Sequence, residues 1–180
     1  FFDISEIESF DIDYEDDFKI AEAMLNESIK KKDVPNDKKI LISHSNVSKI
    51  LKDDGVISNI LENFNKEKTS LIDIIKKQPK TKSWSYRLIN SKSNSATLIA
   101  QLEGEGNRMH YHPDWDEWWY IIQGRWKWLI EGKEILIKKG DVVFIERNKK
   151  HKITSHGKGL SIRLAVSRAD VAHVYSKKDI

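Results

Sequence analysis

The spacing of apolar residues changes character near residue 80. Upstream of that point it is helical. Ala21, Met24, Leu25, Ser28 and Ile29 share one face at i, i+3, i+4 spacing and predict a helix over 16–32. Lys30, Lys31 and Lys32 suit the negative end of that helix, and the run from Asp33 through Pro35 to Asp37 ends it. Lys39–Ile42 reads as a short strand. Val47, Ile50 and Leu51 predict a second helical stretch, which Asp53-Asp54-Gly55 interrupts and which Ile57, Ile60, Leu61 and Phe64 resume. Thr69 or Ser70 can cap a short third helix carrying Leu71, Ile72, Ile74 and Ile75, and Pro79 stops it.

Downstream, alternation with a period of two takes over, and Gly, Asn and Asp bound the segments. Strands are predicted over 83–90, 95–103, 107–112, 117–123, 125–131, 133–138, 142–146, 151–155 and 160–167. Glu131-Gly132-Lys133 has the composition of a tight hairpin. Many short strands at close spacing predict an antiparallel sandwich or barrel. The chain thus reads as a helical N-terminal extension, 1–80, on a mainly β domain, 81–180.

Alternation also assigns faces. If His110 and His112 point inward, parity carries Arg108 inward with them. Glu117, Trp119 and Ile121 form one inner row, and Trp118, Tyr120 and Ile122 take the outer face. On the next strand Trp126, Trp128 and Ile130 form the apolar row. Core packing is expected of Trp118 and Trp128, and an aromatic wall around a substrate of Trp119 and Trp126.

Composition narrows the functional classes. Of 180 residues, 39% are apolar, enough for one core. The net charge is +3 and the lysines are scattered, so no basic stripe for nucleic acid is expected. There is no cysteine, which excludes disulfides and thiolate chemistry. No apolar run is long enough to cross a membrane and no signal peptide is visible, so a cytoplasmic setting is expected. The acidic residues 1–16 carry Phe1, Phe2, Ile4, Ile7 and Phe10 and read as an arm with modest order.

The chemistry concentrates between Gly104 and Gly124. His110 and His112 are two apart, so a strand presents both on one face, and Glu117 follows a Pro113-Asp114 turn signal. A third histidine, His151, lies downstream of Gly140. Three imidazoles and a carboxylate suit a divalent first-row metal such as Fe, Mn, Ni, Co or Zn. The order Gly104, His110-x-His112, Glu117, Gly124, then Gly140 and His151, resembles the two motifs of the cupin superfamily over roughly residues 95–168. The resemblance implies a cupin-type antiparallel β-barrel, or jelly roll, in which His110, His112, Glu117 and His151 hold one metal. The second motif departs from the family pattern: Glu146 stands where proline is usual, Asn148 where glycine is usual and Ser155 where asparagine is usual.

Arg108, Tyr111-His112 and Glu117-Trp118-Trp119-Tyr120 also loosely resemble 3-hydroxyanthranilate dioxygenases, which bind iron and open an aromatic ring. That family usually has aspartate at the place of His110, and its second substrate arginine corresponds to Ser155 here. The resemblance implies Arg108 as the anchor of an anionic substrate. The resulting expectation is an Fe(II)-dependent oxygenase acting on a small organic acid. The alternatives are an O2-independent lyase or isomerase of the cupin type, such as the sulfonium-propionate lyases, and a ligand-binding or sensory cupin. His156 and His173 are expected to be structural or exposed. A homodimer is expected, because Trp118 and Ile122 offer an outward apolar surface and the extension could swap onto a partner.

Overall fold

The computed structural model describes residues 39–42, 50–52, 54–91, 93–168 and 171–176. The predicted helix over 16–32, the acidic arm and the start of the second helical stretch lie outside them. Twelve strands are described: β1 (Lys39–Ile42), β2 (Ser58–Ile60), β3 (Trp84–Asn90), β4 (Ser95–Gln101), β5 (Gly106–Tyr111), β6 (Glu117–Gln123), β7 (Arg125–Ile130), β8 (Lys133–Lys138), β9 (Val142–Ile145), β10 (His151–Ser155), β11 (Ser161–Ser167) and β12 (His173–Ser176). One helix, α1 (Leu71–Lys77), lies between β2 and β3. These elements belong to a unit that begins at Lys38.

The strands form two six-stranded sheets, ordered β1-β12-β5-β10-β7-β8 and β2-β3-β4-β11-β6-β9. Every pairing is antiparallel except β2 with β3. The two sheets make a jelly roll, as expected. All nine predicted strands are present. The helical resumption after Gly55 is not: Ser58–Ile60 is a strand that pairs in parallel with Trp84, Ser85 and Tyr86. Apolar spacing of three and four favoured a helix there, and tertiary pairing overrode it. β1 and β2 also show that the sheets draw on chain before residue 81.

Alternation along β6 and β7 holds. Glu117, Trp119 and Ile121 are buried, whereas Trp118 and Tyr120 are exposed. Trp126 and Trp128 are both fully buried. They join Trp119, Ile121, Ile137, Val143, Ile145 and Ile153 in one core cluster. Trp118, expected in the core, is instead 40% exposed on the outer face. There it stands opposite Phe144, with Tyr120 opposite Val142.

A second cluster lies on the far side of the β3–β4 pair. Trp84, Leu88, Ala96, Leu98 and Ala100 pack there, and Leu71, Ile74 and Ile75 of α1 pack against them. Ser70 caps α1, its Oγ accepting from the Asp73 N–H at 3.3 Å. β4 is therefore buried along its whole length, because its other face, with Thr97 and Ile99, lines an internal cavity.

Gly106 shows how tightly the neighbouring strands β5 and β10 approach. A Cβ there would lie 1.8 Å from the Ile153 carbonyl oxygen. Gly106→Ala must push β5 and β10 apart. It should lower unfolding stability by about 1–3 kcal/mol in denaturant titrations, with the fold retained by far-UV circular dichroism.

Candidate metal centre

β5 and β10 run side by side, with His110 paired to His151. β12 flanks β5 on its other side, with Tyr175 opposite His110. Glu117 starts β6 in the facing sheet. These strands bring together the four residues that the motifs predicted. His110, His112, Glu117 and His151 are all buried. Ring centroids lie 4.9 Å apart for His110–His112, 4.3 Å for His110–His151 and 5.3 Å for His112–His151. Glu117 Oε2 lies 2.9 Å from His112 Nε2.

The rings are fixed by backbone carbonyls. Nδ1 of His110 meets the Arg108 oxygen at 2.7 Å, and Nδ1 of His151 meets the Lys149 oxygen at 3.0 Å. His112 Nδ1 meets the Ala172 oxygen at 2.8 Å. A carbonyl only accepts, so each Nδ1 carries a proton, and the Nε2 atoms of His110 and His151 present lone pairs while that of His112 faces the Glu117 carboxylate. The Nε2 atoms of His110 and His151 are buried with no hydrogen-bond partner. Such atoms are rare unless something else binds them.

One residue of the cluster was expected elsewhere. His173, on β12, stacks on His110 at 4.9 Å and meets His112 edge-on at 4.5 Å. Its Nδ1 donates to the Val171 oxygen at 3.0 Å. The donor atoms form two overlapping groups, His110–His112–His173 and His112–Glu117–His151, each within 4.8 Å. His156, by contrast, is exposed. His173 escaped the sequence reading because it lies outside both motifs on a four-residue strand with little periodicity.

The donors fit one divalent ion. Bonds of about 2.1 Å hold ligand atoms within about 4.2 Å of one another, and the donor atoms lie within 4.8 Å inside each of the two groups that share His112. Nitrogen and oxygen donors without thiolates suit Fe, Mn, Co, Ni or Zn. Burial and the neighbouring imidazoles hold His110 well below its ordinary range, and the same causes bring His151 to about 4 and His173 to about 3. These three are neutral and ready to ligate at pH 7. For Glu117, burial pushes the carboxyl up, but His112 outweighs it and pulls it down to about 2. For His112, burial pushes the imidazole down, but Glu117 outweighs it and raises it.

Beside the cluster, between the sheets, lies a cavity of about 60 Å³. Glu117 and His173 line it on the cluster side, with Trp119, Asn107 and Arg87 around it. Trp119 packs edge-on against Trp128 at 4.7 Å and lies beside His151 at 5.8 Å. Trp126 is placed differently. It is sealed in the core beneath the Arg163 guanidinium at 4.5 Å and does not line the cavity.

The parity argument for Arg108 meets a β-bulge. Asn107 pairs with Ile153 and His110 with His151, so Arg108 and Met109 together stand opposite the single residue Lys152. The bulge puts Asn107 on the cavity side with His110. Arg108 Nε donates to Asp54 Oδ1 at 2.9 Å, and its guanidinium covers the Tyr175 ring at 4.6 Å. It lines a separate depression with Asp54, Gly104 and Lys152. Burial raises the Asp54 carboxyl, and Arg108 only partly offsets that.

One of the second motif's departures, Asn148, has a local explanation. Asn148 takes φ +66°, a left-handed conformation that asparagine tolerates better than most residues. Its N–H donates to the His112 carbonyl at 2.6 Å, so this turn supports the ligand loop.

Two predictions follow from this chemistry. Protein loaded with one divalent ion per chain should lose most of that ion on His112→Ala, the residue common to both donor groups, as read by elemental analysis. Chelator-treated protein should unfold at lower temperature as pH falls from 7 to 4. His110, His151 and His173 have depressed folded pKa values, so their stability contribution is complete above about 6.5 and is lost as pH falls towards their folded values. His112 is raised and acts in the opposite sense, and Glu117 keeps its contribution until pH nears 2. Three groups against one give a net loss, which scanning fluorimetry across pH would measure.

The family model described as "Cupin domain" matches residues 98–167. The tetracenomycin polyketide synthase protein TcmJ of Streptomyces glaucescens is 32% identical over 59 residues, 33% of this chain and 40% of that protein. The chain therefore matches less than half the length of that curated relative. A double-stranded β-helix protein from Klebsiella pneumoniae superposes with a TM-score of 0.53 at 14% identity, covering 64% of this chain and 96% of that one. The polyketide cyclase RemF from Streptomyces resistomycificus superposes with a TM-score of 0.51 at 16% identity, covering 62% and 85%. With two facing sheets and the histidines and glutamate of both motifs gathered between them, residues 98–167 carry a cupin domain.

Proposed function

We propose that this protein is a metal-dependent enzyme acting on a small organic acid, with Fe(II)-dependent oxygenation as the reaction. The observation that carries this reading is a cluster of metal-ready donors facing a cavity whose opposite wall holds a buried arginine. His110, His112, Glu117 and His151 offer imidazole nitrogens and one carboxylate, a donor set that suits Fe(II) among the first-row divalent ions. Arg87 is 6% exposed, donates to Ser95 Oγ and lines the cavity. Arg163 is fully buried, and its hydrogen-bond partners are the neutral amide oxygens of Gln101 at 2.5 Å and Asn107 at 2.6 Å. Burial draws its pKa down to about 9, still cationic at neutral pH. Of the two, Arg87 lines the cavity and places a guanidinium there that can meet an anion.

In this reading His110, His112, Glu117 and His151 would hold the metal, which when bound would supply Lewis-acid polarisation and, as iron, reactivity towards O2. Arg87 grips the substrate carboxylate with its planar fork and aims the rest of the acid at the cluster. Trp119 closes the cavity wall and excludes water. Arg108, engaged by Asp54, serves the rim in this reading and not the substrate anchor. A second reading is O2-independent Lewis-acid chemistry of the lyase or isomerase kind, which the same donor set would serve.

Protein reconstituted anaerobically with Fe(II) should consume O2 when offered a panel of small aromatic and aliphatic acids. Turnover without O2 uptake would replace the first reading with the second. Arg87→Gln should raise KM for the acid at least tenfold, about 1.4 kcal/mol, while metal content stays unchanged. The expected homodimer remains a proposal. The exposed row Trp118, Tyr120, Val142 and Phe144 would meet the same row of a second copy. Light scattering should give a dimer mass that Phe144→Glu reduces to that of a monomer.

No helix among the described residues is long and apolar enough to cross a membrane.

A further inference from the structure

We infer that His173 is an additional protein ligand to the metal, so that the donor set is four histidines and one glutamate. The inference rests on the metal-dependent reading above and extends it to a residue outside both motifs. Three observations carry it.

First, the local geometry of His173 repeats that of two expected ligands. His110, His151 and His173 each donate Nδ1–H to the carbonyl of the residue two positions back: Arg108, Lys149 and Val171. The device fixes the tautomer that leaves Nε2 free to ligate. Second, the donor atom of His173 lies within 4.8 Å of those of both His110 and His112. Among the described residues its only hydrogen bond is the one from Nδ1. A histidine serving only to pack would gain nothing from aiming a free lone pair at two others. Third, β12 is tied to the site a second time. The Ala172 carbonyl, adjacent to His173, accepts from His112 Nδ1 at 2.8 Å. The segment that orients one ligand therefore delivers another.

The placement has a functional consequence. His173 lines the cavity, as does Glu117, whereas His110 and His151 do not. It is partly exposed, while the other three histidines are fully buried. His173 is thus the imidazole that an incoming substrate meets. With His173 among the ligands, five protein donors would hold the ion; without it, the four motif residues would. Facing the cavity, His173 would be the ligand best placed to yield to a substrate.

The test uses full-length protein loaded with cobalt(II). Each Nε2-bound histidine keeps a hydrogen-bonded Nδ1–H close to the paramagnetic ion. That proton gives a strongly shifted, solvent-exchangeable proton resonance. Four such resonances are expected at one cobalt per chain. His173→Phe should lose one of them, keep the other three, and bind cobalt at least about tenfold more weakly in competition with a chromophoric chelator. Three resonances in the unmodified protein at full loading would overturn the inference while leaving the metal-dependent reading intact. Failure to take up cobalt would overturn both. Because the count is made on the unmodified protein, a variant that fails to fold does not decide the outcome.

Discussion

The hydrogen bond from each imidazole Nδ1 to a backbone carbonyl is the interaction on which this site depends. It settles the tautomer without help from any acidic side chain, because a carbonyl offers no proton. It also fixes ring orientation from the strand itself, since for His110 and His151 the acceptor lies two residues back on the chain. His112 follows the last residue of β5 and takes its acceptor from Ala172, just before β12. The site is therefore coupled to the pairing of β12 with β5. Loss of that pairing would free the His112 ring even with both motifs intact.

Burial of so many polar groups has a price in stability. An unpartnered buried acceptor costs about 1–3 kcal/mol, and the Nε2 atoms of His110 and His151 are two of them. Desolvation keeps these imidazoles neutral, which is the state a metal requires. The same feature that weakens the metal-free fold thus prepares the site. A bound metal would satisfy those lone pairs and so stabilise the folded chain, linking affinity to fold stability. The core of Trp119, Trp126 and Trp128 lies directly beside the cluster and supplies apolar burial that offsets part of this strain.

Much of this was legible in the chain. Alternation along Glu117–Gln123 and Arg125–Ile130 predicted which side chains turn inward, because a half-buried strand leaves no other reading. The His-x-His spacing, Glu117 and His151 predicted the donors that the fold brings together. Three things were hidden, each for a physical reason. β2 carries apolar residues at helical spacing and becomes a strand only by pairing with β3. β12 is four residues long, too short to display a period. The bulge at Arg108 and Met109 reverses parity within one strand, and nothing in the local sequence announces it.

The β3–β4 pair shows why the positive side of the cavity also escaped notice. An alternating strand is ordinarily read with its apolar row towards the interior. Here Trp84, Leu88, Leu98 and Ala100 turn towards α1, which packs over them. The polar row, with Arg87 directly opposite Thr97, is left to face the cavity. Asn107 continues that polar lining from β5, and Arg163, outside the lining, donates to its Oδ1 at 2.6 Å. A sheet covered on its apolar face by a helix can give its other face to chemistry without losing its core. In this fold the helix α1 does the packing for β3 and β4, and that is what allows a guanidinium to stand across the cavity from a cluster of imidazoles.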